Sequence, residues 1–356
     1  MKAGKNLPGQ TAERLSLLVF GAGAIGTYIG GNLALHGQRV VFLERPEIAE
    51  EIRLKGLRLS QKDREDWLPN PQAIGSLSET LDLGPFDAAI FALKSNDTQA
   101  ALQMMAPYVS QMPPIVCLQN GVENEPALAE VLGAERVIPG TVTSAIGRRA
   151  PGDIILERRR GMGLVSGHPL SARLAAAFNQ AGLNAHLYPR AQDMKWSKML
   201  TNLLANASSA ILDMTPAEIF AHPGLFRLEI RQLRETLQVM AAQGIQVTDL
   251  PGTPVRLLAF AVQHLPEGIA RPLLKRAVGS GRGAKMPSFH IDLHSRRGTS
   301  EVDYLNGAVA RFGERLGIAT PVNRLLNETL LALTRGETPL SEYARQPEKL
   351  LKQVRV

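Results

Sequence analysis

Hydrophobic positions take two textures along the chain. In the first half they come as short, nearly continuous apolar runs at residues 15–20 (LSLLVF), 39–43 (RVVFL), 86–93 (FDAAIFAL) and 115–118 (IVCL). Each run is too short for an amphipathic helix, and its uniform apolarity suits a strand buried on both faces of a parallel sheet. Helical patterns separate the runs at 47–55, 98–108 and 124–132, a polar and hairpin-like excursion extends to about residue 75, and residues 136–142 read as a further strand. Strands alternating with helices predict a doubly wound, parallel α/β sheet, in which ligands bind outside the carboxyl ends of the strands. From about Ala191 the texture changes. Apolar residues recur at three- and four-residue spacing over 196–212, 215–220, 225–243, 254–265 and 301–316, with Gly244 and Gly317 as helix stops and Pro321 beyond the latter. These spacings predict an all-helical second half.

At 356 residues the chain is long for one core, so two domains are expected: a loose tail over residues 1–14, a Rossmann-type domain over 15–190 and a helical substrate and closure domain over 191–356. A glycine- and arginine-rich stretch, residues 279–285, reads as a mobile loop, and the charged tail after Arg335 as peripheral. A single cysteine, Cys117, excludes an internal disulfide and a cysteine-rich zinc site, and its apolar surroundings mark it as a buried side chain. No apolar stretch has the length of a membrane span, and fingerprint glycines interrupt what would be the apolar core of a leader peptide. No membrane partner is expected, and the location is expected to be cytoplasmic. The net charge of +7 is dispersed apart from small clusters at Arg158-Arg159-Arg160 and Arg296-Arg297. Without a basic helix or an aromatic-basic repeat it points to attraction of phosphorylated cofactors and small carboxylates, not to nucleic acid.

Three stretches carry candidate chemistry. Gly21, Gly23 and Gly26 form G-x-G-x-x-G between a strand and a helix. In that setting Gly21 allows the tight turn, Gly23 allows backbone N–H groups near a pyrophosphate, and Gly26 allows close helix packing, with Ala22, Ala24 and Ile25 completing the cradle. Strands ending at Glu44-Arg45, Lys94 and Asn120 deliver those side chains to the same edge of the sheet. In the second half, DMKWSKMLTNLLAN (residues 193–206) places Lys198, Asn202 and Asn206 at i, i+4 and i+8 on one helix face, opposite Met199, Leu200, Leu203 and Leu204. A cleft wall of this kind offers a lysine to polarise and protonate a carbonyl and two amides to orient a substrate. Thr299 or Ser300 reads as the start of a helix with Glu301 in its first turn, sharing a face with Tyr304 and Leu305 and positioned to face Lys198 across a cleft. His290 and His294, flanking Asp292, share a helical face. With no third strong ligand apparent, no metal site is expected there, and a hydrogen-bonded structural or substrate-edge role is.

Taken in order, these motifs resemble the ketopantoate reductase family, the NADP-dependent 2-dehydropantoate 2-reductases of pantothenate synthesis. The resemblance covers residues 15 to about 330. It rests on the glycine fingerprint, Lys94 of F-A-L-K, Asn120 of Q-N-G, W-x-K-x-x-x-N-x-x-x-N from Trp196 to Asn206, S-x-x-x-D from Ser288 to Asp292, and E-x-D-Y-x-N-G from Glu301 to Gly307. It implies that Lys198 is the general acid and that Asn120 bridges nicotinamide and substrate. It also implies that Asn202, Asn206 and Ser288 hold the substrate, and that Lys94 and Glu301 touch the cofactor, with Glu301 closing the cleft.

Departures accompany the likeness. Arg45 suits an adenosine 2′-phosphate and so NADP(H), but Glu44 stands where an acid favours the free ribose hydroxyls of NAD(H). Phe289 replaces a frequent methionine, and extra residues lie around 249–287 and at both ends. The substrate is accordingly expected to be a small 2-keto acid, ketopantoate or a related branched acid. A paralogue acting on another keto or hydroxy acid and a non-catalytic dinucleotide sensor stand as alternatives, and a homodimer through the helical half is compatible with either.

Overall fold

The computed structural model describes residues 14–61, 64–282, 285–295 and 298–354. Most of the expected tail, two residues of the 279–285 stretch and Arg296-Arg297 lie outside them.

Eight strands form the main sheet, in the order β12-β11-β8-β7-β6-β1-β2-β5. They are β1 (Ser16–Phe20), β2 (Arg39–Leu43), β5 (Gln72–Ile74), β6 (Ala88–Phe91), β7 (Ile115–Cys117), β8 (Val137–Val142), β11 (Met162–Val165) and β12 (Ala185–Tyr188). All neighbours are parallel except β8 and β11. A second sheet, β4-β3-β10-β9, joins the hairpin of β3 (Leu57–Gln61) and β4 (Arg64–Leu68) to that of β9 (Ala145–Ala150) and β10 (Asp153–Arg158). The uniform apolarity of β1 has its reason in alternation. Leu17 and Val19 enter a core shared with α1 (Ala24–Leu35) and α5 (Ser171–Gln180), whereas Leu18 and Phe20 enter another shared with α3 (Thr98–Met105) and α4 (Asn124–Leu132). α2 (Pro46–Lys55) follows β2. The expected α/β class holds; the elements between residues 143 and 190 had no reading from the sequence.

The second half is helical, beginning at α6 (Ala191–Leu203). It continues through α7 (Ala207–Leu212), α8 (Pro216–Ala221), α9 (Pro223–Ala242), α10 (Val255–His264), α11 (Glu267–Arg282), α12 (Ser288–His294), α13 (Ala308–Arg315), α14 (Pro321–Arg335) and α15 (Pro347–Leu351). One apolar core serves most of them. Trp196 of α6 meets Phe312 of α13 edge-on at 5.3 Å, and buried Glu235 of α9 accepts the Val322 and Asn323 N–H groups at the start of α14, both at 3.0 Å.

Four expectations are corrected here. The helix expected over 196–212 is two helices, broken where Ala205 adopts φ 48°. The buried carboxylate of Glu229 accepts the Ala205 N–H at 2.8 Å and the Ser208 hydroxyl at 2.5 Å, which offsets the strain of that left-handed alanine. The helix expected from Glu301 opens with a π-type turn, Asp303–Gly307. The stretch expected to be a loop at 279–285 is helical through Arg282. The chain after Arg335 is not merely peripheral: Leu350 is fully buried and the Arg345 N–H donates to the Leu212 carbonyl at 2.8 Å.

Candidate active site

The glycine turn leaves β1 at Gly21, whose φ of 89° excludes ordinary side chains, and whose N–H donates to Leu43 O of β2 at 3.0 Å. A Cβ on Gly26 would stand 1.8 Å from the Gly21 carbonyl oxygen, so α1 packs against the turn only because that atom is missing. Gly23 differs: a Cβ there would meet nothing within 4 Å. Its absence keeps space open in front of the first turn of α1, which no side chain caps. Gly21, Ala22 and Gly26 are buried while Gly23, Ala24 and Ile25 form the accessible rim. An anionic pyrophosphate fits this cradle by shape and by the sign of the helix dipole. Glu44 reaches back to accept the Ala22 N–H at 2.7 Å, and Arg45 beside it is exposed at the start of α2.

The helical half meets this edge of the sheet along one stripe of α6. Lys195 is buried, and its ammonium donates to the Gln119 carbonyl at 2.6 Å and the Gly140 carbonyl at 3.3 Å, and pairs with Glu125 at 2.6 Å. Burial alone would depress the lysine pKa; the Glu125 charge and hydrogen bond overcome it, so the pKa is raised and Lys195 is held charged. Seven residues on, the Asn202 amide donates to the Asn120 side-chain oxygen at 3.0 Å. Lys198 lies between them on the same stripe, half-buried. Its two stripe neighbours thus touch consecutive residues at the carboxyl end of β7.

Asn120 is exposed at this turn, and its carbonyl accepts from Ser95 Oγ at 3.0 Å and Asn124 Nδ2 at 2.7 Å. Gly121, at φ 91°, brings the turn so near the π-type segment that a Cβ would lie 2.8 Å from Tyr304 O. Arg311 of α13 clamps the two halves further, reaching both carboxylate oxygens of Glu123 and the Asp303 side chain.

Glu301 is buried, preceded by Ser300 as the expected helix start, whose hydroxyl accepts the Val302 N–H at 3.2 Å. It accepts the Ser95 N–H at 3.1 Å, which places it under the loop after β6. Burial raises its pKa, opposed by the Ser95 N–H and Lys94 and reinforced by Asp292. Lys94, expected to touch a cofactor, is ion-paired with Asp292 of α12. Asn206 is not on the same helix as Lys198: it precedes α7, buried, donating to Asn202 O at 3.1 Å and accepting the Phe289 N–H at 3.2 Å. Its amide therefore ties α7 to the start of α12, where Ser288 is exposed. Cys117 is buried, and burial raises its thiol pKa, with Glu125 adding to the effect.

Lys195, Glu125, Arg311 and Glu229 escaped the sequence reading. Lys195 sits three residues before Lys198 and could have been found by extending the polar stripe one turn back; the other three carry no local signal.

A glycine turn of this kind on a parallel sheet, faced by a helical half that brings a lysine and an asparagine to the same strand edge, is an architecture of the two-domain, dinucleotide-dependent oxidoreductases. More particularly, the chain belongs to the ketopantoate reductase family: the profile described as Ketopantoate reductase PanE/ApbA matches residues 17–165 and that of the PanE/ApbA C terminal matches 190–334. A 2-dehydropantoate 2-reductase of Halobacterium salinarum is 27% identical over 321 residues, covering 88% of this chain and 96% of its own. The crystal structure of a PanE/ApbA family ketopantoate reductase from Ralstonia eutropha superposes with a TM-score of 0.76 at 27% identity, covering 91% of this chain and 99% of that one. D-mandelate dehydrogenase with NADH and anilino(oxo)acetate shares the fold, with a TM-score of 0.75 at 22% identity over 90% of this chain and 99% of that one. Among the described residues no helix is long and apolar enough to cross a membrane.

Proposed function

We propose that the protein reduces a small 2-keto acid with NADPH, 2-dehydropantoate being the substrate of first choice and pantoate its product, which would place it in pantothenate formation. The observation that carries this reading is the stripe of α6, where Lys198 is flanked by Lys195 on Gln119 and Asn202 on Asn120. A bound nicotinamide supplies the hydride. Lys198 donates a proton to the carbonyl oxygen and offsets the negative charge growing there, an effect strengthened where water is excluded. Asn202 orients Asn120, whose exposed amide group then points one way at the turn, and exposed Ser288 offers a hydroxyl to the substrate's polar end.

The test is turnover. Purified protein with NADPH and ketopantoate should lose nicotinamide absorbance, and failure with every member of a 2-keto acid panel, in both directions, would overturn the reading in favour of a dinucleotide sensor. A panel member outrunning ketopantoate would identify a paralogue. Arg45, exposed beside the glycine turn, supports NADPH; Glu44, poised on the Ala22 N–H, supports a second reading in which NADH serves as well. Arg45→Ala should lower the NADPH-to-NADH ratio of kcat/KM, and an unchanged ratio would favour the second reading. A homodimer through the helical half belongs to the same proposal, supported by exposed Leu257, Phe260, Ile269 and Leu273 on α10 and α11, and sedimentation decides it.

A further inference from the structure

We infer that Asp213, His290 and His294 form a binding site for one divalent transition-metal ion of the Zn²⁺ type, on the side of α12 away from the cleft. His290 and His294 stand at i and i+4 on α12, their rings 4.1 Å apart between centroids. The third ligand is remote in sequence. Asp213 follows α7, and its Oδ1 lies 2.8 Å from His290 Nε2. One donor atom from each residue falls within 4.8 Å of the other two. Tetrahedral zinc with bonds of about 2.0–2.1 Å separates its donors by about 3.3–3.4 Å, so small side-chain rotations would close the set. Two imidazoles and one carboxylate match the borderline character of zinc and its neighbours in the first transition row, and the half-exposed Asp213 leaves a position for water.

The site is separate from the cleft. Asp292, two residues from His290 and so on nearly the opposite side of α12, is the residue paired with Lys94. Phe289 and Leu293 face the apolar core. What the metal would do follows from what already joins α7 and α12. Asn206, before α7, holds the Phe289 N–H, and Asp213, after it, holds His290. A bound ion would replace the second of these links by three stronger ones and fix the helix that carries Ser288 and Asp292. It acts by positioning, not by chemistry on the substrate.

The experiment is a titration of the full-length, chelator-treated and dialysed protein with Zn²⁺ by calorimetry, and with Co²⁺ followed by visible absorption. One ion per chain is expected, with no thiolate charge-transfer band because Cys117 is buried elsewhere. His294→Gln and Asp213→Asn change accessible side chains and should fold, as circular dichroism would verify; each should lose the stoichiometric binding. Zinc should raise the melting temperature of the parent protein and not that of the variants. Absence of a stoichiometric ion in the parent, or equal binding by parent and variants, overturns the inference and leaves the cluster a hydrogen-bonded helix clamp.

Discussion

Asn202 of the helical half and Asn120 of the sheet half share a hydrogen bond of 3.0 Å, and through it the two halves agree on where the carboxyl end of β7 faces. Asn202→Ala should raise KM for the keto acid and lower kcat, leaving the dissociation constant for NADPH nearly unchanged. A double-mutant cycle with Asn120→Ala should be non-additive, since each variant alone already breaks the pair. Additive effects in steady-state kinetics would mean that the two amides act independently.

Removing the proposed general acid should leave binding intact. Lys198→Ala should reduce kcat by roughly a hundred- to ten-thousand-fold, with NADPH still quenching protein fluorescence at the original affinity. A variant with near-normal kcat would remove Lys198 from the chemistry.

The glycines of the fingerprint should fail differently. Gly23→Ala adds one carbon to open space, so melting should change little while NADPH affinity falls. Gly26→Val drives carbon into the Gly21 carbonyl, so expression and melting temperature should fall before any binding can be measured. Thermal melts and a cofactor titration on both variants separate the two roles.

The buried Lys195–Glu125 pair predicts an asymmetry. Lys195→Met leaves the largely buried Glu125 carboxylate without its cation, and the expected loss is about 3–5 kcal/mol. Combining it with Glu125→Leu removes the orphaned charge and should restore much of that stability. Denaturant titration of both variants checks it, and a double variant no better than the single would show that the carbonyls of Gln119 and Gly140 are what require the ammonium.

For Glu301 the folded-state pKa is raised, first by burial. The folded state therefore holds its proton more tightly than the unfolded chain. The associated stability is present below the ordinary carboxylate range and is lost as pH rises through the raised value. Glu301→Gln keeps an oxygen for the Ser95 N–H without that titration. Its melting temperature relative to the parent should climb as pH rises above the ordinary carboxylate range, and a constant difference would exclude the linkage.

Much of the first half was legible in the sequence because its signals are local. The apolar runs that became β1, β2, β6 and β7, and the glycines after Phe20, report conditions met within a few residues: burial on both faces, a positive φ, a missing Cβ. Lys94, Asn120 and Glu44 followed, since a parallel sheet presents its strand ends on one edge. In the second half periodicity identified α9 and α10 but overran the α6–α7 break. A left-handed alanine has no composition signal, and the carboxylate that supports it, Glu229, is on another helix. The contacts of Asn206 with Phe289, of Lys94 with Asp292 and of Glu301 with Ser95 depend likewise on partners far along the chain. Sequence by itself determined the class of sheet and the helical half, because hydrophobic period and backbone sterics act over short distances. Tertiary structure alone decided which buried polar groups pair, because desolvation makes each buried charge seek a partner wherever the fold supplies one, and it alone brought Asp213, after α7, beside two histidines of α12.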